Sequence, residues 1–230
     1  MDLRPEPFLK LYVVATPIGN LKDITIRAIE TLKEVDFILC EDTRETKKIL
    51  DFYDIKKPLI SYHQHTGLKK TEYIVNLLKQ DKNLALVSDA GTPGISDPGN
   101  KLIEIVVSQI DNLEIVSIPG PSALTAVASI CGFPVDKFVF LGFPPHKKGR
   151  QKFFKQLAEH DLPVIIYESP HRILKTLLEL SKVSDFDIVV AREITKKFET
   201  IYRGKPDVII SRLEAEGPKG EFAIVIWKKS

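Results

Sequence analysis

The chain has 230 residues, of which 43% are hydrophobic and 28% are charged. This balance is ordinary for a globular protein and excludes a largely disordered chain. No apolar run approaches the roughly 18 residues of a membrane-spanning helix, and the N-terminus before Phe8 lacks the apolar stretch of a signal peptide. The two cysteines, Cys40 and Cys131, form no C-x-x-C pair, which disfavours a disulfide framework or a zinc knuckle. We therefore expect a cytoplasmic protein without a membrane segment or a metal site.

The net charge of +2 is distributed unevenly along the chain. Residues 1–132 hold 15 Lys and Arg against 18 Asp and Glu, whereas residues 133–230 hold 18 against 13. Part of the basic excess is concentrated in residues 146–155. A basic segment beside Gly and Pro is typical of a contact with nucleic-acid phosphates. A solvated loop that leads into a helix is the open alternative.

The first part of the chain alternates between short apolar runs and segments with helical spacing. Strands are predicted at 11–15, 36–40, 58–61, 84–88 and 114–118, and helices at 26–35, 44–53, 69–80, 100–110 and 122–131. The run at 84–88 is apolar enough for a central strand that is covered on both faces. This alternation favours a mostly parallel sheet with helices on both sides.

A Gly-Phe-Pro sequence at 132–134 indicates a domain boundary. We therefore predict an N-terminal α/β domain at 1–132 and a C-terminal α/β domain at 133–230. In the second domain, strands are predicted at 137–141, 163–167, 187–192, 199–203 and 221–227, and helices at 149–160, 169–182 and 205–215. The late strands follow one another closely, so a mixed sheet is expected.

Three loops after predicted strands are rich in Gly, Pro and small hydroxyl residues. They are residues 15–20, 88–99 and 118–123. Ligands of parallel α/β sheets bind at the carboxyl ends of the strands, where Gly allows close backbone approach and Pro stiffens the loop. One such loop is an ordinary turn, but three at one edge predict a ligand site lined by main-chain groups. The chain has neither G-x-x-x-x-G-K-[ST] nor a G-x-G-x-x-G after the first strand, which disfavours a P-loop nucleotidase and a dinucleotide fold.

Several longer motifs are distinctive. They are VATPIGNLKDIT at 14–25, CEDTR at 40–44, SDAGTPGISDPG at 88–99, IPGPSA at 118–123, GFPP at 142–145, YESPHR at 167–172, AREITKKFE at 191–199 and KGEF at 219–222. Together they resemble the tetrapyrrole methylase superfamily, in particular its branch of ribosomal RNA small-subunit methyltransferases, which act on a cytidine 2′-hydroxyl. The tetrapyrrole enzymes usually have G-x-G-P-G and G-D-P-x-x-Y-G where this chain has residues 15–19 and 91–97. These departures disfavour a porphyrin-type substrate.

The resemblance implies an S-adenosylmethionine-dependent methyltransferase of two α/β domains, with the cofactor in a cleft between them. It implies that the cofactor is held largely by main-chain groups. The cofactor-binding residues that it implies are Pro17, Asp89, Gly91, Thr92, Pro93, Gly94, Ile95, Ser96, Ser122, Ala123, Tyr167 and Glu168.

A 2′-hydroxyl is a poor nucleophile, so a general base or a polarising contact is expected to assist it. Glu41, Asp42 and His63 follow neighbouring predicted strands and are the candidates. The residues expected to contact RNA phosphates are Arg44, Lys147, Lys148, Arg150, Arg192, Lys196 and Lys197. For Arg192 with Glu193, a purely structural ion pair is an equally open reading.

The expected partner is small-subunit (16S) ribosomal RNA, within the assembled or assembling small subunit. The resemblance also implies a homodimer. Two alternatives stay open at this stage. One is a small-molecule methyltransferase of tetrapyrrole type, and the other is an RNA-binding module that has lost catalysis.

Overall fold

The computed structural model describes residues 9–63, 66–97 and 99–228, and the chain divides into two compact units at 1–122 and 123–230. The elements of the first unit are β1 Leu9–Val14, α1 Ile26–Glu34, β2 Phe37–Cys40, α2 Thr43–Phe52, β3 Leu59–Ser61, α3 Leu68–Lys79, β4 Leu84–Val87, α4 Gly99–Gln109 and β5 Leu113–Ile118. A short 3-10 helix, Leu21–Asp23, was not predicted. The alternation of strands and helices read from the sequence is confirmed.

The five strands of the first unit form one parallel sheet in the order β3-β2-β4-β1-β5. All four residues of β4 are buried, because β4 lies in the middle of the sheet and apolar side chains cover both faces. One cluster includes Ala28 and Leu32 of α1, and the other includes Ile74 of α3 and Leu102 of α4. The predicted parallel sheet is therefore confirmed.

Local capping sets where the first helices begin. The side chain of Thr25 accepts a hydrogen bond from the Ala28 N–H at the start of α1, and the side chain of Asp42 accepts one from the Arg44 N–H at the start of α2. Both caps satisfy main-chain donors that the helix itself leaves unpaired. The Asp42 cap lies in the loop after β2, so it also fixes the loop that contains Glu41 and Asp42, two candidates for the catalytic base.

The second unit contains nine elements of regular structure within its described residues. They are α5 Ala123–Ile130, β6 Val139–Gly142, α6 Arg150–Leu157, β7 Val164–Glu168, α7 Ile173–Val183, β8 Asp187–Arg192, β9 Thr200–Gly204, α8 Pro206–Glu216 and β10 Phe222–Trp227. The sheet order is β6-β7-β10-β8-β9. Only the β6–β7 pair is parallel among these strands, which confirms the predicted mixed sheet.

Helix α5 belongs to the second compact unit. Its Val127, with Cys131 just beyond the helix, packs against Ala223 and Val225 of β10. The guanidinium of Arg203 on β9 donates to the carbonyls of Ile130 and Cys131 at 2.6 and 2.8 Å. These contacts explain why the compact units divide after Ser122, whereas the predicted domain boundary stands after Gly132.

Helix α7 begins four residues later than the predicted start at 169. The N–H groups of Arg172 and Ile173 both donate to the Ser169 carbonyl at 3.1 Å. Residues 169–172 therefore form a turn that leads into the helix. Within the described residues, no helix is long and apolar enough to cross a membrane.

Candidate cofactor site

The loops after β1 and β4 are joined at the carboxyl edge of the parallel sheet. The Thr16 N–H donates to the Gly91 carbonyl at 2.9 Å, and the Gly91 N–H donates to the Thr16 carbonyl at 3.2 Å. The Thr16 hydroxyl also donates to the Ser88 carbonyl at 2.9 Å. Thr16 is 1% exposed, so these hydrogen bonds are shielded from water and bind the two loops firmly together.

The loop after β5 is tied to the same edge. The Ala15 N–H donates to the Ile118 carbonyl at 3.1 Å, and the Thr92 hydroxyl donates to the Pro121 carbonyl at 3.2 Å. A Cβ on Gly120 would lie 3.0 Å from the Cβ of Ala15, so the two loops approach each other closely. The structure therefore brings together the three loops that the sequence singled out.

Two glycines determine the path of the main chain in the loop after β4. Gly91 and Gly94 both have a φ of +86°, in the left-handed region that favours glycine. A Cβ on Gly94 would lie 2.5 Å from Oδ1 of Asn100, and a Cβ on Gly91 would lie 3.1 Å from Cγ2 of Ile18. Ser96 also has a positive φ, of 65°, although a non-glycine residue seldom adopts one. The main chain is therefore held in an unusual conformation around Gly94.

Asp97 and Asn100 hold this conformation in place. Oδ1 of Asp97 accepts from the N–H groups of Gly94 at 2.7 Å and of Gly99 at 2.9 Å, where α4 begins. Nδ2 of Asn100 donates to the Gly94 carbonyl at 2.9 Å. Neither residue was among the site residues predicted from the sequence. An Asp placed three residues after a glycine and just before a helix is nevertheless a recognisable capping signal.

A buried oxygen of Asp97 has no hydrogen-bond partner among the described residues. Oδ2 is shielded from solvent, while Oδ1 makes the two hydrogen bonds given above. Buried polar atoms in proteins are nearly always satisfied by protein, water or ligand. An unsatisfied carboxylate oxygen beside a glycine-rich loop fits a ligand that brings a cation or a hydrogen-bond donor.

Carboxylates are concentrated at this edge. The Asp42 N–H donates to Oδ1 of Asp89 at 2.9 Å, which joins the loops after β2 and β4. Burial, followed by repulsion from nearby acidic groups, raises the pKa of Asp89. Partial burial and the negative charges of Asp89 and Asp97 likewise raise the pKa of Glu41. A positively charged ligand would relieve this repulsion.

The three candidates for the catalytic base differ in their surroundings. Hydrogen bonds from Arg44 lower the pKa of Asp42 to about 2, so Asp42 is a weak base. Burial, Asp89 and Asp97 raise the pKa of Glu41, whereas His63 lowers it. His63 is exposed, and its main-chain N–H donates to the Thr66 hydroxyl at 2.8 Å. Of the two carboxylates, Glu41 is therefore the stronger base.

The predicted cofactor residues fall into three groups. Pro17, Asp89 and residues 91–96 line the joined loops of the first unit, where Pro17 and Pro93 are buried and Ile95 is 40% exposed. Ser122 and Ala123 are half-buried and lie where the chain passes from the first unit to the second. In the second unit, the half-buried Tyr167 contacts the rings of Phe140 and Phe143, with centroids 5.0 and 5.6 Å away.

Glu168 has a different environment from the one predicted. Its carboxylate is fully buried. Oε1 accepts from Arg172 at 2.8 Å and from the Ser169 N–H at 2.7 Å, while Oε2 accepts from the Thr176 hydroxyl at 2.6 Å. Both carboxylate oxygens are therefore engaged by groups inside the second unit.

Arg150 also departs from its predicted environment. It is 3% exposed, and its guanidinium contacts Glu179 at 2.7 Å, Thr176 at 2.6 Å and the Pro145 carbonyl at 3.0 Å. Such a buried group is not available to RNA phosphates. Its position at the start of α6 turns the side chain towards α7 and the core, and the spacing of charges in the sequence does not reveal this.

The remaining basic candidates differ in exposure. Lys147, Lys148 and Lys197 are exposed, and the Arg44 side chain is 86% exposed although it pairs with Asp42. The other two are engaged within the second unit.

Lys196 contacts Glu193 at 2.9 Å and Glu221 at 3.0 Å. Arg192 contacts Glu216 at 3.7 Å rather than Glu193. A structural role for this segment is therefore supported, although Glu193 pairs with Lys196 and Arg192 pairs with Glu216.

The chain is a protein of two α/β units with a glycine-rich edge on the first, and solved structures share this architecture. Cobalt precorrin-4 methyltransferase, a cobalamin biosynthetic enzyme, aligns with a TM-score of 0.72 and 17% identity over 98% of each chain. Diphthine synthase aligns with a TM-score of 0.72 and 14% identity over 96% of this chain and 90% of its own. At these identities the likeness concerns the fold alone.

The sequence comparisons identify the family. The model of the tetrapyrrole (corrin/porphyrin) methylases matches residues 10–208. The ribosomal RNA small subunit methyltransferase I of Thermotoga maritima is 45% identical over 96% of this chain and 99% of its own length. The enzyme of the same name from Synechocystis sp. is 46% identical over 94% of this chain and 78% of its own length. The chain therefore belongs to the tetrapyrrole methylase family.

Proposed function

We propose that this protein is an S-adenosylmethionine-dependent methyltransferase that methylates a cytidine 2′-hydroxyl in small-subunit ribosomal RNA. The observation that carries the proposal is the identity of 42 to 46% with relatives named ribosomal RNA small subunit methyltransferase I. These relatives align over nearly the whole chain. The glycine-rich edge of the first unit supplies the chemistry that such an enzyme needs.

The cofactor residues of the proposal lie on the joined loops of the first unit. Residues 91–96 would hold the cofactor mainly through main-chain groups other than those of Gly91 and Gly94, which are engaged by Thr16, Asp97 and Asn100 and fix the path of the loop. Asp89 and the unpaired oxygen of Asp97 suit a cationic group. When bound, S-adenosylmethionine supplies a methyl group on a positively charged sulfur.

The base of the proposal is Glu41. Its carboxylate would accept the proton of the 2′-hydroxyl as the oxygen–methyl bond forms, and its raised pKa makes it a stronger base than an ordinary glutamate. Asp42 would stay ionised, because Arg44 stabilises its charge. Alignment of the reacting groups supplies most of the remaining rate, which agrees with loops that are tied to one another.

RNA would be bound through exposed basic side chains. Lys147, Lys148, Lys197 and Arg44 are the members of the predicted set whose charged groups lie at the surface. Such contacts position the RNA without reading its sequence. A cytoplasmic location and a homodimer are further parts of the proposal. The ribosomal substrate supports the first and the family resemblance supports the second, and light scattering on the purified protein tests the dimer.

Methyl transfer to purified ribosomal subunits tests the function. Labelled S-adenosylmethionine is incubated with small subunits that lack the modification, with naked small-subunit RNA, and with porphyrin-type small molecules. Mass spectrometry of nucleosides is expected to reveal 2′-O-methylcytidine in the first sample, and subunits that already carry the modification serve as the matched control. Methyl transfer to a porphyrin alone would contradict the RNA proposal, and RNA binding without any transfer would indicate a module that has lost catalysis.

A further inference from the structure

A charged network is buried beside the basic loop, which we define as residues 143–149. It contains two cations, Arg150 and Arg172, and two anions, Glu168 and Glu179. Their side chains are 3%, 14%, 0% and 24% exposed, respectively. Thr176 completes the network, because its hydroxyl accepts from Arg150 and donates to Glu168, both at 2.6 Å.

Buried ion networks rarely stabilise a fold more than apolar side chains of similar size would. Their best-supported use is to select one conformation among several. The parts of the chain that the network holds therefore indicate its role.

The network holds two successive carbonyls of the basic loop. Arg172 Nη1 donates to the Pro144 carbonyl at 2.8 Å, and Arg150 Nη1 donates to the Pro145 carbonyl at 3.0 Å. Both prolines lack an N–H, so the loop has few main-chain hydrogen bonds with which to fix itself. Glu168 lies between the two guanidiniums and contacts both.

The residues between these anchors and α6 are the exposed basic ones. Lys147 and Lys148 are exposed, and neither forms an ion pair with any residue in the described ranges. Beyond them, Gly149 has a φ of +82° and Arg150 begins α6. The loop is thus fixed at both ends by groups that contact Glu168, while its lysines stay free to meet an anionic partner.

We propose that Glu168, acting through Arg150 and Arg172, holds the basic loop in the conformation that presents Lys147 and Lys148 to RNA phosphates. This inference rests on the proposed function and adds positioning residues to its RNA-binding surface. A loop that is ordered before binding loses less conformational freedom when RNA binds. The expected signature is therefore energetic coupling between the buried network and the exposed lysines.

A double-mutant cycle measures this coupling. One change is the pair Lys147→Ala and Lys148→Ala, and the other is Arg172→Lys. The lysine keeps the net charge of the protein but lacks the planar fork that reaches two acceptors at once. Arg212→Lys is the matched control, because Arg212 lies over the Tyr202 ring in the same unit and forms none of the ion pairs of the network.

The readout is affinity for naked small-subunit RNA across a range of salt concentrations. In the unaltered chain, loss of both lysines should weaken binding about 10-fold and flatten the dependence of log affinity on log salt by about 1.5. In the Arg172→Lys background, the same loss should cost about twofold, because the lysines are already displaced. The turnover number at saturating RNA should stay within about twofold for Arg172→Lys, while KM for RNA rises.

An equal cost of losing the lysines in both backgrounds would overturn the inference and leave Arg172 with a purely structural role. If the unaltered protein methylates RNA but the lysine change has no effect in either background, the inference fails alone and the proposed function stands. If the unaltered protein neither binds nor methylates RNA, both fail. If Arg172→Lys does not fold, Thr176→Val replaces it in the cycle. This change removes the hydroxyl that links Arg150 to Glu168 without altering the net charge. Thr176→Ser, which keeps the hydroxyl, should restore the coupling.

Discussion

Thr16 and Gly91 exchange two main-chain hydrogen bonds, and they thereby form a single antiparallel bridge in a unit whose sheet is otherwise parallel. The hydroxyl of Thr16 extends this bridge to the Ser88 carbonyl. Residues 15–20 and 88–97 are thus linked by hydrogen bonds of the protein itself. Side chains that need not touch a ligand, such as Thr16, therefore help to determine the shape of this edge.

Thr16→Val tests the contribution of that hydroxyl. Valine keeps the shape of threonine but leaves the buried Ser88 carbonyl without its donor, which costs about 1–3 kcal/mol. Chemical unfolding should reveal this loss, and calorimetry should reveal weaker binding of S-adenosylmethionine. Thr71→Val is the control, because the Thr71 hydroxyl reaches the Gly67 carbonyl only at 3.5 Å. Equal effects of the two substitutions would contradict a special role for Thr16.

Gly94→Ala should impair cofactor binding more than it impairs folding. An alanine at a φ of +86° is strained by about 1–2 kcal/mol, and its Cβ would displace the Asn100 side chain that holds the loop. We expect binding of S-adenosylmethionine to weaken at least 10-fold by calorimetry.

The matched control for this change is Gly217→Ala. Gly217 has a φ of +83° with open space around its Cβ position, and it lies at the end of α8. Gly217→Ala should introduce similar backbone strain but should not weaken binding of S-adenosylmethionine. Unchanged cofactor affinity in Gly94→Ala would remove residues 91–96 from the site.

The pH dependence of methyl transfer should depend on Glu41. The pKa of Glu41 is raised above its ordinary 4.5. The carboxylate is therefore fully ionised, and able to accept a proton, only at pH values above this raised pKa. The single-turnover rate should therefore rise with pH through the raised pKa and then level off. Glu41→Gln should lower the rate about 100-fold or more and abolish this acidic limb.

Removal of one neighbouring charge provides an independent check on Glu41. Asp97 is one of the negative groups that raise the pKa of Glu41, so Asp97→Asn should move the acidic limb towards lower pH. Asp111→Asn, at an exposed position outside this group, should leave the limb in place. A limb that persists in Glu41→Gln would assign the base to another residue.

Arg150→Met should destabilise the second unit strongly. Methionine fills part of the space but leaves Glu179 without its guanidinium partner and Glu168 with Arg172 alone. Breaking a buried ion pair typically costs about 3–5 kcal/mol. Unfolding in denaturant measures the loss, with Lys152→Ala, an exposed neighbour on α6, as the control. A cost below about 1 kcal/mol would mean that the network is better solvated than its burial indicates.

Much of this protein could be read directly from its sequence. The strand at Leu84–Val87 is a short apolar run between turns, and the three glycine- and proline-rich loops follow strands of a parallel sheet. Both are local patterns. The buried apolar run and the alternation of strands and helices predict a parallel sheet, and loops that follow parallel strands lie at its carboxyl edge. The positions of the strands and the edge that holds the candidate site were therefore predictable.

Tertiary packing decided the roles of individual charged residues. Arg150 and Glu168 stand in motifs that pointed to RNA and cofactor, yet they meet inside the second unit with Thr176 and Glu179 of α7. Likewise, Asp97 and Asn100 acquire their roles only because α4 begins beside Gly94. The same local sequence pattern allows a charged side chain to face water or to contact a buried partner. Only the packing of α6, β7 and α7 brings the partners of Arg150 within hydrogen-bonding distance, and that packing depends on contacts between residues far apart in the chain.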